Sequence, residues 1–241
     1  MRWEYGVTTH VSRVCTTLHA TVESLARSGF PTPRIFLDGP MELLPLWLRH
    51  YRLHHRETPV YAFGNWSLAL YEMLTISPDC NRYAIFQDDI QMCLGVREYL
   101  EGMTWRPKTY LNLITYPGNG PPWADKSEGR KGFYKAPRHG KGAQALVFDL
   151  DGAMDLLLSR RFMEHRTKTW IFGNQIVGRQ DIDGQIHRAL CEELGYEELI
   201  HDPGLVTHRV DVPSSIREKR QPAVEWAGAD WDARVLLRKS S

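Results

Sequence analysis

The chain has 241 residues, of which 42% are hydrophobic and 24% charged, and a net charge of +1 at pH 7. A chain of that length buries one sizeable core, or a core and a small lobe, and the composition is that of a soluble globular protein. A charge so close to zero excludes a global demand for a nucleic-acid or membrane partner, which leaves local charge to decide. Cys15, Cys80, Cys93 and Cys191 lie far apart with no C-x-x-C pair. That spacing argues against a zinc ribbon or a disulfide framework and points to reduced thiols. The first residues, Met1-Arg-Trp-Glu-Tyr5, carry an early acid and no apolar core, so no secretory signal is expected. No apolar run approaches the roughly 20 residues that span a bilayer. The expectation is a soluble, cytoplasmic protein with no membrane insertion.

In chain order, Trp3–Thr8 is a short β-prone run that predicts a first strand. Cys15–Ser28 predicts a helix, with Leu18, Val22 and Leu25 at helical spacing and Gly29 as its stop. Arg34–Leu37 predicts a second strand, closed by the turn signal Asp38-Gly39-Pro40. Pro45–His55 reads as a short helix, and Val60–Phe63 as a third strand. Gly64-Asn65 and a helix over Trp66–Thr75 follow. Tyr83–Phe86 is a fourth strand that stops at Gln87-Asp88-Asp89, and Val96–Glu101 is a short helix. In the second half, Thr109–Thr115 is a strand and Pro117–Gly142 a long loop rich in Gly, Pro, Lys and Arg. A strand over Ala143–Asp149 then leads into a helix over Gly152–Leu158. A last helix runs from Asp183 to Leu194. The stretch after Val206 is polar and irregular, and carries Arg217, Lys219, Arg220, Arg234, Arg238 and Lys239.

Strands alternating with helices predict an α/β fold, with a mostly parallel central sheet and right-handed crossovers. Ligands on such sheets collect at the carboxyl ends of the strands. That rule puts Thr8, Thr9, His10, Arg13, Asp38, Gly64, Asn65, Asp88 and Asp89 on one rim. A strand that ends in adjacent carboxylates can hold a hard divalent cation, magnesium or manganese, against a diphosphate. Such a cation stabilises the charge of a departing nucleotide. Alone, an Asp-Asp pair is equally an acidic turn.

Phe86-Gln-Asp-Asp-Ile90 resembles the metal-binding motif of glycosyltransferases with the GT-A fold. Other segments extend the resemblance over most of the chain. Tyr5-Gly-Val-Thr-Thr-His-Val-Ser-Arg13 is similar to the first strand and nucleotide loop. Ile35-Phe-Leu-Asp-Gly39 is similar to the second strand, and Gly64-Asn-Trp-Ser-Leu-Ala-Leu70 to the segment beside the nucleoside. Pro203-Gly-Leu-Val-Thr-His208, followed by Pro213-Ser-Ser-Ile216, resembles a late signature whose His completes the metal shell. Gln87 stands where the family has its first acid, and Gly204 where Ser is usual. The resemblance implies one GT-A (Rossmann-like) catalytic domain over 1–216, with a nucleotide-sugar half at 1–101 and a smaller, irregular acceptor half at 102–216. Residues 217–241 would form a tail.

Carried over, the resemblance implies that Asp89 binds the metal directly and that Asp88 binds it through water or touches the ribose. His208 would be the second protein ligand, against the alternative of a structural His. Arg13 would offer its fork to the diphosphate or base, or stand solvated at a helix start. Asp38 would accept the uracil N–H, or cap the turn before Pro40. The donor expected is a UDP-sugar, UDP-glucose first. An inverting transferase also needs a carboxylate base for the acceptor hydroxyl. Asp181 and Asp183 are the candidates, with Asp183 favoured, and an N-cap is the alternative role for Asp183.

Ala145-Leu-Val-Phe-Asp-Leu-Asp-Gly152 resembles the nucleophile motif of haloacid dehalogenase phosphatases, with Asp149 and Asp151 in the two acid roles. Ala153 replaces the usual Thr, and little chain is left for the parallel core that normally follows. A sugar-nucleotide-binding module without catalysis is another alternative. The segment around Trp123, Lys131, Phe133, Tyr134, Lys135 and Arg138 interleaves cations with aromatic rings. That mixture suits a nucleic-acid contact, a lid over the donor or a solvated loop. The chain is most similar to small phage-type transferases. The resemblance makes a 5-hydroxymethylpyrimidine in DNA one candidate acceptor, beside saccharides and small molecules.

Overall fold

A computed structural model describes residues 1–40, 44–116, 132–136, 141–167, 171–172, 175–176, 182–209 and 226–239. Its first elements are β1 (Trp3–His10), α1 (His19–Arg27), β2 (Arg34–Asp38), β3 (Leu53–Arg56), α2 (Tyr61–Ile76), β4 (Arg82–Gln87), β5 (Ile90–Met92) and α3 (Val96–Gly102). Then come β6 (Thr109–Asn112), β7 (Gly132–Lys135), β8 (Ala145–Asp149), α4 (Leu150–Leu158) and α5 (Arg160–Thr167). The last are β9 (Ile171–Phe172), β10 (Gln175–Ile176), α6 (Ile182–His187), β11 (Glu197–Asp202) and β12 (Val206–His208).

The main sheet has the order β3-β2-β1-β4-β8-β6-β11-β7. Strands β3, β2, β1, β4, β6 and β11 run one way, and β8 and β7 run against them. This is the mostly parallel α/β sheet that the alternation of elements predicts. Its inner parallel strands are buried on both faces, which explains the apolar runs Ile35–Leu37 of β2 and Tyr83–Phe86 of β4. Leu18, Val22 and Leu25, with Val96 and Leu100 of α3, close one face. Helices α2, α4 and α6 close the other with Phe63, Trp66, Leu70, Leu156, Ile182 and Ile186. Full burial of a side chain such as Leu70 contributes about 1.5–3 kcal/mol. Small ribbons join β5 to β12 and β9 to β10, both antiparallel.

Several expected elements fall elsewhere. Val60–Phe63 is not a strand: α2 begins at Tyr61, and the third strand is the polar Leu53–Arg56. The buried positions Phe63, Trp66, Leu70 and Met73 show why, because the helical period extends back through that β-prone run. Within Pro45–His55 only Leu46–His50 is helical, as a 3-10 turn. The predicted helix over Cys15–Ser28 is composite, with a 3-10 turn at Val11–Arg13 and a π turn at Val14–Leu18 ahead of α1. Within the expected irregular stretch after Val206, the Trp231 carbonyl accepts the Leu94 N–H at 2.9 Å, and Ala233 and Leu236 join the core.

Candidate active site

Asp88 and Asp89 form the turn between β4 and β5, with only 2% and 6% of their surfaces exposed. Two adjacent buried carboxylates repel each other and require counter-charge or donors. Arg13 meets that need from the helical entry to α1. Its Nη2 lies 3.1 Å from Asp88 Oδ1 and 2.8 Å from Asp89 Oδ2. Burial works against the guanidinium charge, but the two carboxylates outweigh it and raise Arg13 above its ordinary value. The Thr9 hydroxyl donates to Asp88 Oδ2. From α1, the Thr21 hydroxyl reaches the carbonyls of Asp88 at 2.8 Å and Ile90 at 3.1 Å, clamping the turn's backbone.

Strand pairing brings in His208. It stands opposite Ile90 in the β5/β12 ribbon, and the Arg209 N–H donates to the Asp89 carbonyl at 2.8 Å. His208 Nε2 faces Asp89 Oδ1 at 3.9 Å. The Tyr116 hydroxyl lies 2.9 Å from His208 Nδ1 and orients the ring. A separation of 3.9 Å is too long for a hydrogen bond. It lies within the span of two ligands each about 2.1 Å from a shared cation. Among the described residues, no group of three or more His, Cys, Asp or Glu side chains is placed to hold a metal. One carboxylate and one imidazole still fit magnesium or manganese, which keep open positions for phosphate oxygens and water.

The part of the rim formed by β1, β2 and α2 is held by polar clips. Asp38 Oδ1 and Oδ2 accept the N–H groups of Val60 and Tyr61 at 2.8 and 2.9 Å, which caps α2. Each oxygen keeps a second lone pair. The Asn65 amide donates to the carbonyls of Thr9 at 3.3 Å and Phe36 at 2.9 Å, tying α2 to β1 and β2. Asn65 Oδ1 is buried with no hydrogen-bond partner among the described residues. The Thr8 hydroxyl points to the Phe86 carbonyl at 3.4 Å. His10 is exposed at the end of β1, with its Nδ1 2.8 Å from the Ser12 hydroxyl. Gly64 lies in the first turn of α2, where an added Cβ would come within 2.9 Å of Val60 Cβ.

Asp183 enters from the other side, as the second residue of α6. Its Oδ2 accepts the Gly142 N–H at 2.8 Å. Nearby, the Gln87 N–H donates to the Gln144 carbonyl at 2.8 Å, which seats this stretch beside the acid turn. Gly142 has a φ of +91°, and a Cβ there would sit 2.5 Å from Tyr116 Cε2. Gly142 therefore touches both the ring that orients His208 and the carboxylate of Asp183. Asp181, Trp123, Lys131 and Arg138 lie outside the described residues. Phe133 stacks on Tyr99 with centroids 6.2 Å apart, and Lys135 pairs with Glu197 at 2.6 Å. Lys135 is thereby carried to the start of β11, the end away from the acid turn. Tyr134 is partly buried in the same strand.

Asp149 and Asp151 lie at the opposite end of the sheet. Asp149 caps α4 by accepting the Gly152 N–H at 2.8 Å, and β8 runs antiparallel to β4. Neither observation suits a phosphatase nucleophile, which needs a parallel core. The acids line a cavity of about 540 Å³ with Arg82, Trp105, Arg106 and Lys108. Opposed charges line it, far from the Asp89–His208 pair.

Tyr116, Thr21 and Gly142 belong to the site although no motif marks them. Tyr116 immediately follows the predicted strand over Thr109–Thr115. The carboxyl-end rule that placed the first-half residues would have placed it too. Nothing in the sequence marks Thr21, whose role depends on how α1 packs.

No family model and no curated protein matches the sequence. Solved structures do match by fold. Over 86% of the chain, it superposes on the structure of GalNAc-T7 with UDP, GalNAc and Mn2+, at a TM-score of 0.55 and 11% identity. Over 86% it also superposes on S. aureus TarS, at a TM-score of 0.51 and 10% identity. The chain spans 44% of the former and 36% of the latter. The protein has the fold of GT-A glycosyltransferases, as the motifs predict.

Proposed function

We propose that the protein is a metal-dependent, inverting glycosyltransferase that moves a sugar from a UDP-sugar, UDP-glucose first, to a hydroxyl acceptor. The observation that carries this reading is the placement of Asp89 Oδ1 opposite His208 Nε2 at 3.9 Å, beside Arg13 and on the rim of a glycosyltransferase fold. Asp89 and His208 would hold manganese or magnesium, which supplies Lewis-acid stabilisation of the leaving diphosphate. Arg13 fixes Asp89 through Oδ2 and leaves Oδ1 turned toward His208. On the nucleoside side, the second lone pairs of Asp38 and the Asn65 Oδ1 acceptor suit a nucleobase N–H. Asp183 takes the proton of the acceptor hydroxyl as its oxygen attacks the anomeric carbon, and the nucleotide leaves from the opposite face.

A 5-hydroxymethylpyrimidine in DNA is one candidate acceptor, on the sequence content of Trp123, Lys131 and Arg138, since Phe133 and Lys135 are engaged by Tyr99 and Glu197 instead. Such a base would have to be extruded from the duplex. Saccharides and small molecules are the competing acceptors. The test is release of UDP from a panel of UDP-sugars with manganese, and with hydroxymethylated DNA or simple saccharides added. Asp89→Asn should lose release by at least about a hundredfold. Asp183→Asn should lose transfer and keep UDP binding. Binding without release, with any acceptor, would identify a non-catalytic sugar-nucleotide-binding module instead. Salt-insensitive activity that ignores DNA would sink the DNA acceptor alone.

A further inference from the structure

We infer that Asn112 is the positioning residue for the acceptor-side carboxylate: it locks the Gly142 peptide whose N–H holds Asp183, an inference that rests on the proposed role of Asp183 as base. Asn112 ends β6 with none of its surface exposed. Its Nδ2 donates to the carbonyls of Lys141 at 3.0 Å and Gly142 at 2.9 Å, and to Glu198 Oε1 at 2.8 Å. Its Oδ1 accepts the Ile114 N–H at 3.2 Å. An amide carries two N–H donors, so three acceptors share them and the group has no freedom left.

Two successive carbonyls converge on one donor only where the chain leaves extended geometry. Gly142, at φ +91°, supplies that departure. The same kink turns its N–H to Asp183 and presses its α-carbon against the Tyr116 ring. Behind Asn112 stands Glu198, 2% exposed on β11 and paired with Tyr110 in the β6/β11 register. Glu198 accepts from the Asn112 amide and also meets the Tyr110 hydroxyl, and the 2.8 Å contact fixes which way that amide is turned. Helix α6 packs Ile182 and Ile186 onto this same face. Glu198, Asn112, Gly142 and Asp183 therefore form one polar relay, buried from Glu198 to Gly142 and half-buried at Asp183. The Tyr116 ring packs against Gly142 but reaches His208 through its own hydroxyl, so the relay acts on the Asp183 side of the site.

The double variant Asn112→Asp, Glu198→Gln separates positioning from simple stability. It exchanges the amide and the carboxylate between the two positions. The amide on β11 can then donate to the carboxylate on β6, so the link between the strands and the single charge are kept, while the two carbonyls lose their donor. The expected result is a folded protein with an unchanged KM for the donor and a kcat for transfer reduced about a hundredfold, the cost of a small misplacement. A folded double variant with the native kcat would overturn the inference. Asp183→Asn, assayed in parallel, isolates the underlying reading. If that variant transfers normally, the role of Asp183 fails, whatever Asn112 does. Should the double variant not fold, amide hydrogen exchange of the native chain decides. The Gly142 N–H should exchange as slowly as the amides of β8, and exchange at a free-peptide rate would contradict the relay.

Discussion

At the scale of single residues, charge placed in the interior dictates most of the site. Asp88 and Asp89 stay buried because Arg13 lies within 3.1 Å of both, and the same contact aims Asp89 Oδ1 at His208. His201 shows the opposite solution. It is fully buried between the Pro203 carbonyl, 2.6 Å from Nδ1, and the Tyr99 hydroxyl, 3.0 Å from Nε2. Burial holds it down at about 4, below its ordinary 6.5, with the Pro203 contact acting the other way. Between those two values the unfolded chain takes up a proton that the folded chain refuses. Stability therefore falls as pH drops through that window, by up to about 3 kcal/mol. Urea unfolding at pH 7 and pH 4.5 should show this loss, and His201→Gln should flatten it. An equal midpoint for the native chain at both pH values would contradict the assignment.

At the scale of elements, α1 and the β5/β12 ribbon do the assembling. Thr21→Val preserves shape and removes the hydroxyl that serves the Asp88 and Ile90 carbonyls. Leaving those acceptors short should cost about 1–3 kcal/mol. Thermal unfolding should register that loss, together with a higher manganese requirement for UDP release. An unchanged requirement would show that the clamp does not tune the turn. Legibility in the sequence also divides by element. Strands β2 and β4 announce themselves as apolar runs and β1 as a β-prone one, and Thr9, Asp38 and Asp88 lie at their ends. The edge strand β3, Leu-His-His-Arg, has no apolar run to reveal it. Val60–Phe63 looks like a strand because its residues are β-prone, whereas a backbone cap from Asp38 and burial further along make it helical. Caps of that kind depend on residues distant in sequence.

At the scale of the whole molecule, the eight-stranded sheet and the β5/β12 ribbon together bring residues from positions 9 to 208 to one end. The motifs singled out the acid turn, Arg13 and His208, which the fold brings together, because each sits at a strand end or in a resembling segment. Tyr116 was within reach of the carboxyl-end rule, whereas Gly142 and Asn112 were not legible, since their contacts arise where β6, β8 and α6 converge. Among the described residues no helix is long and apolar enough to cross a membrane. All four cysteines are free thiols, with burial pushing Cys93 up to about 12 and Cys191 up to about 11. The central claim is that Asp89 and His208 together hold the metal of a nucleoside diphosphate. Calorimetric titration of UDP, with and without manganese, tests it most directly. The native chain should bind UDP tightly only with manganese, and both Asp89→Asn and His208→Ala should abolish that enhancement while remaining folded. Equal UDP affinity with and without manganese, or full enhancement in either variant, would contradict it.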